Sequence, residues 1–139
     1  MNDAPPPAGL VNYTHCIYGL HALAVLIGVV TGTSVVGRFV FGLPSVIAVI
    51  MNYARRSEAE GTWLASHFRW QIRTFWFALL WSAITLVLSA PLILVVVGVF
   101  LAVAGLALVG VWVAYRVARG WLALRAGQPM PPAIAAVVT

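Results

Sequence analysis

The chain has 139 residues, 63% of them apolar and 8% charged, with a mean hydropathy of +1.01. A soluble domain carries about a quarter charged residues, and a small one has too much surface to hide this much hydrocarbon. A soluble globular enzyme, a disordered tail and a disulfide scaffold are therefore excluded. The net charge of +5 comes from eight arginines at the edges of apolar runs, where membrane topology accounts for them, and no soluble basic stripe is present to hold a nucleic acid.

Residues 1–10 read as a flexible Pro-rich N-terminus. They lack a basic n-region, so the first helix is expected to stay as a signal anchor and not to be cleaved. A four-helix membrane domain then covers 11–125, with spans at about 11–33, 35–53, 67–90 and 97–122. The first span holds His15, Cys16 and His21 but no formal charge. Cys16 has no partner for an internal disulfide and is expected to be a small buried hydrophobe. A polar turn, Thr31-Gly32-Thr33-Ser34, leads to the second span. Arg38 lies near the start of that span, and Pro44 should kink it.

The polar stretch from Asn52 to Arg73 follows. Ser57-Glu58-Ala59-Glu60 has the spacing of a capping box, and Gly61 weakens a continuous helix from there. From Thr74 to Tyr115 no residue is charged over 42 positions. One helix of that length would be about 63 Å, roughly twice the hydrocarbon thickness, so the chain must fold back. Ser89, Pro91 and Gly98 place that hairpin between Ser89 and Gly98. Gly127 and Pro129, Pro131 and Pro132 end the last helix and open a Pro-rich tail, 126–139. The expected fold is all-α: a polytopic membrane protein of four transmembrane helices in two antiparallel hairpins.

Arg55, Arg56, Arg69 and Arg73 lie between spans two and three, and Arg116, Arg119 and Arg125 lie at or after the end of span four. Two helices separate these clusters, so they share a side, and the positive-inside rule makes that side cytoplasmic. Both termini are then cytoplasmic, in a bacterial inner membrane. Trp63, Trp70, Trp112, Tyr115 and Trp121 flank the same boundary as an aromatic belt.

The inventory for chemistry is short. The three acids are at one end and in one loop, no Cys/His cluster offers a metal site, and no Gly-rich phosphate loop follows a strand. No enzyme, metal or cofactor is expected. His21 sits near mid-membrane, where an ionisable residue suggests function, and it is the one possible cofactor ligand. Trp63, His67, Trp70, Thr74, Phe77 and Trp81 recur at helical spacing on one face. His67 and Gln71 form an i, i+4 polar pair of structural type. Arg69 and Arg73, also i, i+4, make with Trp63 and Trp70 a lipid- or partner-binding site for an anionic headgroup or a carboxylate. Small residues mark close helix approaches: Gly28 with Gly32, then Gly98, Ala102 and Gly105, then Gly110, Ala114 and Ala118.

The tract Asn52-Tyr53-Ala54-Arg55-Arg56, followed by Gly61-Thr62-Trp63 and the run from Ser66 to Trp76, resembles an uncharacterised family of small proteobacterial inner-membrane proteins. That family is similar to the group around the small chloroplast inner-envelope translocon subunit, with His67 and Gln71 as the shared cue. The resemblance covers about residues 13 to 125 and implies a four-helix bundle. The expected function is non-catalytic: an accessory or scaffold subunit beside a larger respiratory, photosynthetic or translocation complex. Its partners would be anionic membrane lipids and that complex or further copies of itself, and not nucleic acid. A self-associating channel or small transporter is the alternative, and a pigment or haem binder using His21 is the third reading.

Overall fold

The computed structural model describes residues 5–7, 9–30 and 35–131, with the side chains of 35–41 and 93–95 left out. Five α-helices follow in order: α1 Leu10–Val30, α2 Val35–Ala54, the single turn α3 Arg56–Ala59, α4 Leu64–Ser89 and α5 Val97–Arg125. The turn expected at 31–34 and the tail from 132 onward lie outside the described residues, as do Asp3 and the side chain of Arg38. α1, α5 and the helix Leu64–Leu92, which is α4 with its continuation, are long and apolar enough to cross a membrane. The described apolar part of α2, Gly42–Ala54, is shorter than a span.

The helices pack antiparallel in sequence-adjacent pairs. The Tyr13 hydroxyl donates to the Met51 carbonyl at 3.0 Å, and His21 meets Ser45 at 3.2 Å, which sets α1 against α2. Trp70 and Thr74 bond Arg116, which sets α4 against α5. α1 closes the bundle on α5, where the Trp121 indole donates to His15 Nδ1 at 3.0 Å. Leu10, Ile17, Tyr18, Ala48, Leu64, Phe68, Val117 and Leu124 form the buried core. This core belongs to one end of the bundle. Toward the other end the helices are covered by exposed Val87, Phe100 and Leu108, the surface expected of helices bathed in hydrocarbon.

Local departures from the sequence expectations have physical causes. Ser57 is not a helix cap: α3 begins at Arg56, and the Glu60 N–H bonds the Ser57 carbonyl at 3.2 Å, closing the turn through backbone instead. Gly61 takes φ +79, a left-handed conformation that a side chain disfavours, and it breaks the chain before α4. Cys16 is exposed, because it lies two residues after buried Thr14 and so about 200° around the helix. The chain reverses between α4 and α5 through a 3₁₀ turn, Ala90–Val95, and then Val96 at φ +65. That left-handed valine is a strained backbone position, costing of order 1–3 kcal/mol.

Two glycines mark close approaches. A Cβ at Gly105 would run into the Thr85 methyl, and one at Gly120 would meet the Tyr18 ring, 2.7 Å from Cε1. Gly110 has nothing within 4 Å, and neither does Gly28, whose expected partner Gly32 is outside the described residues. Gly120→Ala should therefore cost about 1–3 kcal/mol, because the buried Tyr18 ring cannot move aside. Gly110→Ala should be neutral or stabilising by up to about 1 kcal/mol. Thermal unfolding in detergent checks the contrast; equal midpoints for the two variants would contradict the close approach.

Candidate functional site

The polar side chains converge where the start of α1, the end of α2, the start of α4 and the end of α5 meet. His67 is at the centre and fully buried. Its Nε2 lies 2.7 Å from the Gln128 carbonyl, and its Nδ1 lies 3.1 Å from the Tyr18 hydroxyl. A carbonyl only accepts, so Nε2 carries the proton; in the neutral ring Nδ1 then accepts from Tyr18. The rings of Tyr18 and Trp63 meet the imidazole edge-on, with centroids 6.1 and 5.6 Å away. The segment beyond α5 is held as well: the Met130 N–H donates to Ser66 Oγ at 2.9 Å, and the Met130 side chain is buried.

A second knot ties α4 to α5. The Trp70 indole donates to the Arg116 carbonyl at 3.1 Å, and the Arg116 guanidinium lies 3.6 Å from the Trp70 ring centroid. Arg116 Nε donates to Thr74 Oγ1 at 2.7 Å, and the Thr74 hydroxyl donates in turn to the Trp70 carbonyl at 2.7 Å. A guanidinium held face-on to an indole and hydrogen-bonded through Nε is a fixed charge and not a free surface arm. Nothing in the spacing of the arginines singled out Arg116; the Trp70 and Thr74 positions one helical turn apart were the available signal.

The residues singled out by sequence fall in three places. His67, Trp70 and Gln71 are buried, and Trp63 is half-buried against His67. Trp70 is thus an interior side chain and not an interfacial anchor, and Trp121 is occupied by His15. Arg69 and Arg73 are exposed. The face carrying Trp63, His67, Trp70 and Thr74 turns inward, but Phe77 and Trp81, continuing it, are exposed at 43% and 51%. This face of α4 therefore turns outward after its third turn, while farther along Thr85 still packs against Gly105 and Ser89 is buried.

His67 and Gln71 share the buried face without a bond to each other. The Gln71 amide lies beside the Tyr18 hydroxyl, close enough to interact with it, yet no bond of acceptable geometry reaches its oxygen or nitrogen. Asn52 on α2 is likewise fully buried with both amide atoms unpartnered, and His21 Nε2 is buried without a partner. For a bis-histidine haem no second imidazole offers a lone pair, since Nδ1 of His15 accepts from Trp121, which leaves the proton of the neutral ring on Nε2, and both nitrogens of His67 are used. Among the described residues no group of three His, Cys, Asp or Glu side chains could hold a metal ion.

Comparison with family models, with curated proteins and with solved structures gave no match.

Two substitutions separate a bonded from an unbonded buried polar group. His67→Ala should lower stability by about 2–5 kcal/mol, since it opens a cavity and strands the Tyr18 hydroxyl and the Gln128 carbonyl. Gln71→Leu should be neutral or stabilising, because an unpartnered amide is replaced by a side chain of similar size. Thermal midpoints in one detergent test both; a large loss in Gln71→Leu would show that the amide has a partner in the membrane.

Proposed function

We propose that this chain is a small non-catalytic protein of the bacterial inner membrane, an accessory or scaffold subunit that packs beside a larger membrane complex. In this reading α2 also crosses the membrane, as the second of four spans. Both termini and seven of the eight arginines face the cytoplasm. The antiparallel pairing supports it, because the paired contacts at Tyr13, His67, Trp70 and Trp121 bring the arginine-bearing segments to one end of the bundle. The resemblance of the 52–76 tract to the uncharacterised family of small proteobacterial inner-membrane proteins points the same way.

The observation that carries the subunit reading is how the polar groups are used. The imidazoles of His15 and His67, the indoles of Trp70 and Trp121 and the guanidinium of Arg116 are bonded within the bundle. They hold helices together and present no nucleophile or acid to a substrate. Meanwhile Gly110 stays open and Ala118 exposed on α5, a small-residue face that another helix can approach closely.

A self-associating channel or small transporter is the second reading, favoured by the unpartnered buried His21, Asn52 and Gln71. The third, a pigment or haem bound by one axial imidazole, draws on the unpartnered Nε2 of His21 alone.

Native electrophoresis of membranes in mild detergent should place the chain in an assembly far heavier than its own oligomers, together with distinct subunits. Migration as a monomer or simple multimer would end the subunit reading, and a saturable flux in liposomes lost in His21→Ala would favour the channel. A visible absorption band lost in the same variant would favour the pigment. In a Cys16→Ser background, Glu58→Cys and Ala126→Cys should react only from the cytoplasmic side and Thr33→Cys only from the opposite side; labelling of all three from one side would refute the four-span topology.

A further inference from the structure

Three arginines gather on the α4–α5 pair at the polar end: Arg73, Arg116 and Arg119. None meets a carboxylate, and the one ion pair among the described residues, Arg55 with Glu58 at 3.5 Å, lies elsewhere. Arg119, whose guanidinium donates to the Tyr115 hydroxyl at 3.2 Å, lies 5.9 Å from the same Trp70 ring that Arg116 covers at 3.6 Å, and the charge of Arg73 also acts on Arg116. Arg116 cannot retreat from them, because Thr74 and the Trp70 ring fix it. Trp112 flanks the same guanidinium at 5.0 Å. Three converging cations with no acid among them leave a positive centre that an anion would neutralise.

Trp112 also lines a shallow groove of about 290 Å³, together with Val109, Leu108, Gly105, Thr85 and Trp81. The bare backbone of Gly105 against Thr85 makes its floor. Trp112, Leu108 and Gly105 succeed one another over seven residues of α5, so the groove descends about 10 Å along the helix from the arginines. A cationic centre at the membrane boundary that continues into an apolar groove along the helix axis has the polarity of one amphiphile standing in the bilayer.

We infer that Arg73, Arg116 and Arg119 bind the phosphate of an anionic diacyl phospholipid whose acyl chain lies in the groove between Trp112 and Trp81. The inference rests on the membrane reading above and not on the subunit reading. It moves the anionic site from the exposed pair Arg69 and Arg73 to a centre shared by both helices. Arg116 supplies the preorganised donor, and Arg73 and Arg119 supply the longer-range attraction.

The test uses the full chain in a neutral detergent, titrated with long-chain phosphatidylglycerol or with phosphatidylcholine of the same chains, and read by native mass spectrometry. Phosphatidylglycerol should bind in defined stoichiometry and at least roughly tenfold tighter than phosphatidylcholine. Arg73→Gln with Arg119→Gln, both at exposed positions, should remove roughly tenfold or more of that affinity. Arg56→Gln with Arg125→Gln removes the same charge elsewhere and should leave it intact. Equal loss in the two double variants would reduce the effect to diffuse surface charge and overturn the site. Equal binding of the two lipids would overturn it as well. Competition by soluble glycerophosphoglycerol at the same concentration as the lipid would overturn the groove's part. Loss of a co-purifying protein in Arg73→Gln with Arg119→Gln, with lipid binding unchanged, would assign the arginines to a partner's carboxylates instead. A chain with no partner complex that still selects phosphatidylglycerol would refute the subunit reading and leave this one standing.

Discussion

The imidazole of His67 is the point on which the polar end of the bundle depends. It takes a hydrogen bond from α1 on one nitrogen and gives one to the chain beyond α5 on the other, from a position in the first turn of α4. A neutral histidine is the smallest side chain with both a donor and an acceptor at opposite edges of a rigid ring. Serine or asparagine could match the chemistry but not the reach. In a low-dielectric interior these two bonds are strong, and their absence would leave buried polar atoms unmatched. The surrounding core of Tyr18, Phe68, Leu64 and Leu124 then packs around a fixed object.

Lipid offers no hydrophobic drive for one apolar helix to choose another, so specific side-chain bonds and close approaches must set the register. Both devices are present between the same pairs of helices. Trp70 and Thr74 grip Arg116 near one end of the α4–α5 pair, and Gly105 against Thr85 lets the pair close farther along. Tyr18 serves both functions on α1: its hydroxyl bonds His67, while its ring lies over Gly120. Hydroxyls without a distant partner bond back to their own helices, as Thr14 does to Leu10 and Ser89 to Thr85, which hides their polarity from hydrocarbon.

The long helices were legible in the sequence because hydrocarbon demands them: a run from Thr74 to Tyr115 without a charge leaves the chain no course but to turn back, and Pro91 and Gly98 bracket the place. The local backbone at the turn was not legible, since a left-handed valine at 96 contradicts residue preference and is imposed by the closure of α4 on α5. The periodic face of α4 was readable as a face, but not as one whose side chains turn inward as far as Thr74 and outward at Phe77 and Trp81. That division depends on where α1 and α2 cover α4. Arg116 looked like one more boundary charge; its fixed position follows from Trp70 and Thr74 on another helix, a relation that spacing within α5 does not carry. The readings of Cys16 and Ser57 failed for a similar reason, as residue type alone did not reveal which side of α1 is covered or how the chain closes a single turn.

The tie between His67 and Gln128 spans 61 positions and involves a segment made after all five helices. A ribosome delivers the chain from its N-terminus, so α4 enters the membrane before its histidine has any carbonyl to bond on that side. Until residues 128–130 are released, the Nε2 proton and the Ser66 hydroxyl face an incomplete protein. The bundle therefore acquires this fastening only after α5 has been made, and nascent chains truncated before residue 128 would contain all five helices yet lack the clasp that joins the segment beyond α5 to α4.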